Sequence, residues 1–84
     1  MRVTEVRLTK RTGEDKMLAS GSITLEDDFV VAGIRVMKSN EGNLYVAYPS
    51  RKDRSGEYKN ICFPLSKSLR EDIHTQIIAE YESL

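Results

Sequence analysis

Three cations, Arg51, Lys52 and Arg54, fall within four positions of the polar run Ser50-Arg51-Lys52-Asp53-Arg54-Ser55-Gly56. No other stretch of the chain has that density of positive charge. Guanidinium and ammonium donors so spaced on a short loop suit the oxygens of a phosphate backbone. Phosphate contacts supply affinity and register, whereas sequence is read at base edges or through nucleic-acid shape. Tyr45, Tyr48 and Tyr58 stand close by in sequence. Their rings can stack on unpaired bases, and equally they can pack across strands inside a sheet. A charged hairpin tip is by itself most often a solvated loop, so both readings stand on composition alone.

The remaining reactive side chains offer less. Glu26-Asp27-Asp28 is an acidic break without the regular oxygen-ligand spacing of a calcium loop, and it reads as a solvated turn. His74 is the only histidine and has no partner at metal-ligand spacing. Cys62, the only cysteine, stands between Ile61 and Phe63 and reads as a small buried hydrophobe on a strand. The sequence contains no G-x-S-x-G elbow, no P-loop and no G-x-G-x-x-G. The expectation is a protein that binds and does not catalyse, with no metal, no cofactor and no small-molecule substrate.

The elements that must carry the basic run follow from periodicity. Val3 to Lys10 alternates, with Thr4, Val6 and Leu8 on one side, as in a half-buried strand. Arg11 to Asp15 is a polar turn, and Lys16 to Leu25 alternates again, with Met17, Ala19, Gly21, Ile23 and Leu25 together. Gly21 inside that run predicts a bulge or a close backbone approach. Phe29 to Met37 is the most apolar run, a strand to be covered on both faces, in part by a second protomer. Leu44 to Tyr48 is a fourth strand, stopped by Pro49, and Glu57 to Phe63 is the returning fifth, closed by Pro64. Gly56 supplies the positive φ that turns the chain between them.

After Pro64 the period changes to that of a helix. Leu69, Ile73, Ile77 and Tyr81 form an apolar stripe over Leu69 to about Glu82, opposite Arg70, Glu71, His74 and Glu82. Ser68 and Glu71 have the spacing of a capping box. The expected architecture is α+β: one domain over residues 1–84, a five-stranded antiparallel sheet with a C-terminal helix on one face.

Eighty-four residues sit near the lower end of what buries a self-sufficient core, which favours a dimer built through the sheet. Thirteen basic and thirteen acidic residues cancel, so electrostatic binding must come from local charge placement. One cysteine fits a reducing compartment, and no apolar run is long enough for a membrane span. The N-terminal Met1 to Lys10 lacks an apolar signal-peptide core. A cytoplasmic protein without membrane contact is expected.

Read as a whole, the chain resembles the SpoVG family (stage V sporulation protein G), small bacterial regulators linked to septation. The resemblance runs essentially end to end. It is carried by Val3-Thr4-Glu5-Val6-Arg7-Leu8, by Ser22-Ile23-Thr24-Leu25, and by Phe29-Val30-Val31 with Ile34-Arg35-Val36. It continues through Tyr48-Pro49-Ser50-Arg51-Lys52, Gly56-Glu57-Tyr58 and Ile61, and ends at Ala79-Glu80-Tyr81. It implies a homodimeric, site-preferring DNA- and RNA-binding regulator, with the family's basic pair on Arg51 and Lys52. Arg54 stands where relatives often carry a proline, and Ala32 and Phe63 replace two histidines, so no role of those histidines carries over. The other reading left open is a dimeric protein-interaction module in septation or sporulation control, its basic loop incidental.

Overall fold

The computed structural model describes residues 1–11 and 16–84. Four strands form one antiparallel sheet: β1 (Val3–Lys10), β2 (Met17–Leu25), β3 (Phe29–Lys38) and β4 (Leu44–Ala47). They lie in sequence order, β1-β2-β3-β4. Two short strands, β5 (Ser50–Lys52) and β6 (Tyr58–Asn60), form a separate antiparallel ribbon. One helix, α1 (Lys67–Glu82), covers a face of the larger sheet and packs mainly on β1. The class is α+β, as expected. The single five-stranded sheet is not what forms: the returning strand is confined to Tyr58–Asn60, and it pairs with Ser50–Lys52 instead of with Leu44–Ala47. Pro49 is the reason, since it has no N–H for a ladder and separates β4 from β5. The turn expected over Arg11 to Asp15 lies outside the described residues from position 12 onward.

Three one-residue slips decide which side chains face inward; the one at Leu18, between Met17 and Ala19 of β2, brings Leu18 against the core instead of away from it. In β1, Val3 pairs with Leu25 and Glu5 with Thr24, so Thr4 is the extra residue. The alternation slips there by one position, and Val3, Val6 and Leu8 turn toward the core while Thr4 does not. Thr4 instead binds the next turn: its hydroxyl accepts from the Asp27 N–H at 2.9 Å and donates to the Thr24 carbonyl at 3.3 Å. In β3, Gly21 pairs with Ile34 and Ser22 with Ala32, which makes Gly33 the extra residue. Its φ of +83° is the left-handed conformation that glycine tolerates. The slip lets Val31, Ile34 and Val36 all face the helix. Phe29 and Val30 remain 64% and 60% exposed, so the chain alone does not cover both faces of this strand.

Gly21 is a site of close approach beside that register shift. A Cβ there would lie 1.7 Å from the Arg7 carbonyl oxygen, so β1 crosses β2 where no side chain can stand. Around it, Ala19, Ile23, Leu25, Ile34 and Val36 meet Ile73 and Ile77 in one core. Burial of each isoleucine, leucine or valine among them contributes about 1.5–3 kcal/mol.

The helix begins two residues earlier than its apolar stripe. Ser66, not Ser68, is the N-cap, its hydroxyl accepting from the Leu69 N–H at 3.1 Å. No Glu stands three residues after Ser66, so the expected reciprocal box with Glu71 does not form. The face reading holds: Ile73 and Ile77 are buried, whereas Arg70, Glu71, His74 and Glu82 are exposed. Polar side chains also tie α1 to the edge strand. The Gln76 amide donates to the Val3 carbonyl at 3.1 Å and to Asp72 at 2.9 Å, and Asp72 accepts from the Val3 N–H at 3.4 Å. The Gln76 donor, followed by the Val3 N–H, holds the Asp72 carboxyl below the usual carboxylate range.

Candidate nucleic-acid interface

All three cations singled out by composition stand on the ribbon. Arg51 and Lys52 belong to β5, Arg54 is in the turn beyond it, and each is exposed. The turn is built by Asp53. One of its carboxylate oxygens accepts from the Ser55 N–H at 2.9 Å, the Ser55 hydroxyl at 2.7 Å and the Glu57 N–H at 3.0 Å. Its backbone N–H donates to the Glu57 carbonyl at 2.8 Å, and its own carbonyl accepts from the Gly56 N–H at 3.1 Å. Gly56 has φ +90°, as its turn position requires. The apex therefore comprises Arg54, Ser55 and Gly56, held by a carboxylate that is already occupied. The Ser55 hydroxyl, then the Glu57 N–H, keeps the Asp53 carboxyl below its ordinary range.

The ladder sorts the ribbon's side chains into two faces. Directly opposed residues of an antiparallel pair share a face, and successive residues alternate. Arg51 opposes Lys59, which puts two cations side by side on one face. Lys52 opposes Tyr58 on the other. Lys59, a fourth basic residue, was not legible as part of the site, because the sequence does not set the pairing register. Its ammonium lies 3.4 Å from the second Asp53 carboxylate oxygen, with Lys59 exposed and Asp53 partly so. Arg51, Lys52 and Arg54 make no ion pair among the described residues. With Asp53, Lys59, Asn60 and Ile61, they line an open hollow of about 520 Å³.

The ribbon is fastened to the larger sheet at its base. The Arg35 guanidinium donates to the Tyr48 carbonyl at 2.8 Å and approaches the Ser50 hydroxyl at 3.5 Å. The Ile61 N–H donates to the Pro49 carbonyl at 2.7 Å. Gly33 matters here too: a Cβ on it would press on the Pro49 ring at 3.3 Å.

The three tyrosines have separate fates. Tyr48 packs against the core, and burial pushes its phenol above the ordinary value, with Arg70 acting in the opposite sense. Tyr45 lies on β4, 43% exposed, and Tyr58 is 72% exposed. Cys62 is half-buried in a bend, not buried on a strand, because β6 ends at Asn60. It lines a second, apolar groove of about 510 Å³ whose rim includes Met1, Phe29, Phe63 and Leu65. Among the described residues, no three His, Cys, Asp or Glu side chains gather where they could hold a metal ion. No described helix is long and apolar enough to cross a membrane.

Comparison with known proteins matches the SpoVG family profile to residues 1–83. The chain is similar to "Putative septation protein SpoVG" of Clostridium acetobutylicum, 44% identical over 84 residues, covering 100% of this chain and 87% of that protein. Proteins of the same name from Agathobacter rectalis and Clostridium perfringens are also similar. The first is 41% identical over 83 residues, covering 99% of this chain and 94% of the relative. The second is 43% identical over 84 residues, covering 100% and 92%.

Proposed function

We propose that this chain, which belongs to the SpoVG family, is a nucleic-acid-binding regulatory protein whose basic ribbon grips the phosphate backbone. One observation carries the reading: Arg51, Lys52 and Arg54 stand exposed and unpaired, among the described residues, on a ribbon where the neighbouring Asp53 carboxylate is engaged by its own turn and by Lys59. A preorganised turn spends little conformational entropy on binding. The names of the relatives attach the family to septation, and we place the regulatory role of this chain there. Catalysis forms no part of the proposal.

The binding unit is a homodimer. Its support is the apolar groove and the exposed Phe29, Phe63 and Leu65 at its rim, at 64%, 57% and 89%. Apolar surface of that kind in a small domain marks an interface. Two copies would present two ribbons to one nucleic acid. The reading of a protein-interaction module without nucleic-acid binding draws on that same groove, and one experiment separates the two. Arg51, Lys52 and Arg54 are replaced together by alanine, and binding to short DNA and RNA is titrated with salt. Loss of affinity for all sequences alike and a flatter salt slope, with circular dichroism and sedimentation unchanged, support the ribbon. An unchanged slope sinks it, and a wild-type protein that sediments as a folded monomer removes the dimer.

A further inference from the structure

The two faces of the ribbon are chemically different, and the difference bears on what kind of nucleic acid it takes. On one face Arg51 and Lys59 stand directly opposite each other. Like charges in that position destabilise a strand pair, and the Asp53 carboxylate, 3.4 Å from the Lys59 ammonium, offsets this within the ribbon itself. On the other face Lys52 stands opposite Tyr58. The Tyr58 ring is 72% exposed, belongs to neither the core nor the residues packed on it, and is carried by a strand, not a free loop. Tyr48, by contrast, packs against the core. An aromatic ring kept in water on a hydrogen-bonded ribbon, opposite Lys52 and with Arg51 on the neighbouring strand, has the makeup of a base-stacking platform.

Resting on the nucleic-acid reading above, we infer that Tyr58 stacks on an unpaired base and that the ribbon therefore selects single-stranded segments, of RNA or DNA, over duplex. Bases in a duplex are stacked on their neighbours and cannot reach the ring, whereas a single strand can turn a base onto it. Lys52, on the same face, then meets the adjoining phosphate, and Arg51 holds the backbone on the other side. Every base has a π-face, so the platform confers a preference for strandedness and little for sequence.

The test is Tyr58→Ala beside Tyr58→Phe, with affinity measured for oligo-rU, oligo-dT and a duplex of equal length at one salt concentration. Stacking on one base is expected to be lost in Tyr58→Ala as a drop of about fivefold to a hundredfold on both single strands. Duplex affinity should change by less than about twofold, because no phosphate contact is removed. Tyr58→Phe should retain the single-strand affinity, and the salt slope of both variants should match wild type. Equal losses on single strand and duplex, or no loss on the single strands, would overturn the platform while wild-type binding leaves the phosphate-binding ribbon standing. A Tyr58→Ala protein that no longer assembles as wild type does overturns it too, since the ring then belongs to an interface. Failure of the wild type to bind any of the three probes would instead refute the underlying nucleic-acid reading.

Discussion

Replacing Asp53 with asparagine should strengthen nucleic-acid binding and make it more sensitive to salt. Asp53 has two functions on the ribbon, and the substitution separates them. One carboxylate oxygen accepts from Ser55 and Glu57 and builds the turn, and the other holds Lys59 at 3.4 Å. The amide oxygen of asparagine can keep the first role, but the amide nitrogen cannot hold an ammonium. In the wild type three cations per protomer are free for phosphates, and each contributes about −0.9 to the slope of log K against log salt on duplex DNA. That gives about −2.7 for one ribbon and about −5.4 when both ribbons of a dimer engage. Freeing Lys59 raises the contacts to four, and the slopes become about −3.6 and −7.2. Fluorescence anisotropy of a labelled duplex, titrated across salt concentrations, reads the slope directly. Affinity should rise most at low salt, with curves converging as salt increases. A slope that stays at the wild-type value would show that Lys59 already reaches phosphate or never does. A slope that becomes shallower, with circular dichroism unchanged, would show that the turn has lost its shape and that Asp53 is needed mainly for that.

Three further outcomes follow from the packing. Ile77→Ala removes a fully buried side chain and should cost about 2–5 kcal/mol, whereas the exposed His74→Ala should stay within about 0.5 kcal/mol, both read from denaturant melts. Gly21→Ala places a methyl 1.7 Å from the Arg7 carbonyl oxygen, and it should cost more than about 3 kcal/mol, seen as loss of cooperative thermal unfolding. Asp72 has a depressed pKa in the folded state, so the unfolded chain binds the proton first as pH falls. Its contribution is therefore complete above the ordinary carboxylate range and is lost as pH drops through that range toward the folded-state value. Asp72→Asn should flatten the fall of melting temperature with acid, and an unchanged acid profile would show that the Gln76–Asp72–Val3 link carries no stability.

The parts of the structure that rest on period were legible in the sequence. The α1 stripe of Leu69, Ile73, Ile77 and Tyr81 packs as its spacing implies, and the inward set Ala19, Ile23 and Leu25 of β2 is buried. Of the two alternatives at Gly21 the close backbone approach is what forms, and the bulge beside it belongs to Gly33 of the neighbouring strand. Much of what failed depends on a slip of one residue. The slips at Thr4 and Leu18 leave almost no mark on composition, and the glycine that marks the one at Gly33 is not among the expected bulges, yet each changes which side chains point inward. The same ignorance of register hid Lys59, whose place in the site depends on its being opposite Arg51. The helix start was misplaced because Ser66 and Ser68 have the same capping chemistry. Only the path of the chain from Pro64 selects between them.

Pro49 does more than end a strand. By separating β4 from β5 it leaves the cations on a ladder that shares no strand with the sheet over which α1 packs. The exposed cations and the residues that form the core are thus almost disjoint, joined through Arg35, the Pro49 carbonyl and the Gly33–Pro49 contact. Closing a somewhat longer loop adds only a few tenths of a kcal/mol, so the tip can lengthen, shorten or exchange charge with little penalty to folding. Lineages diverging from a common ancestor can therefore change the charge and length of the tip while inheriting an unaltered scaffold.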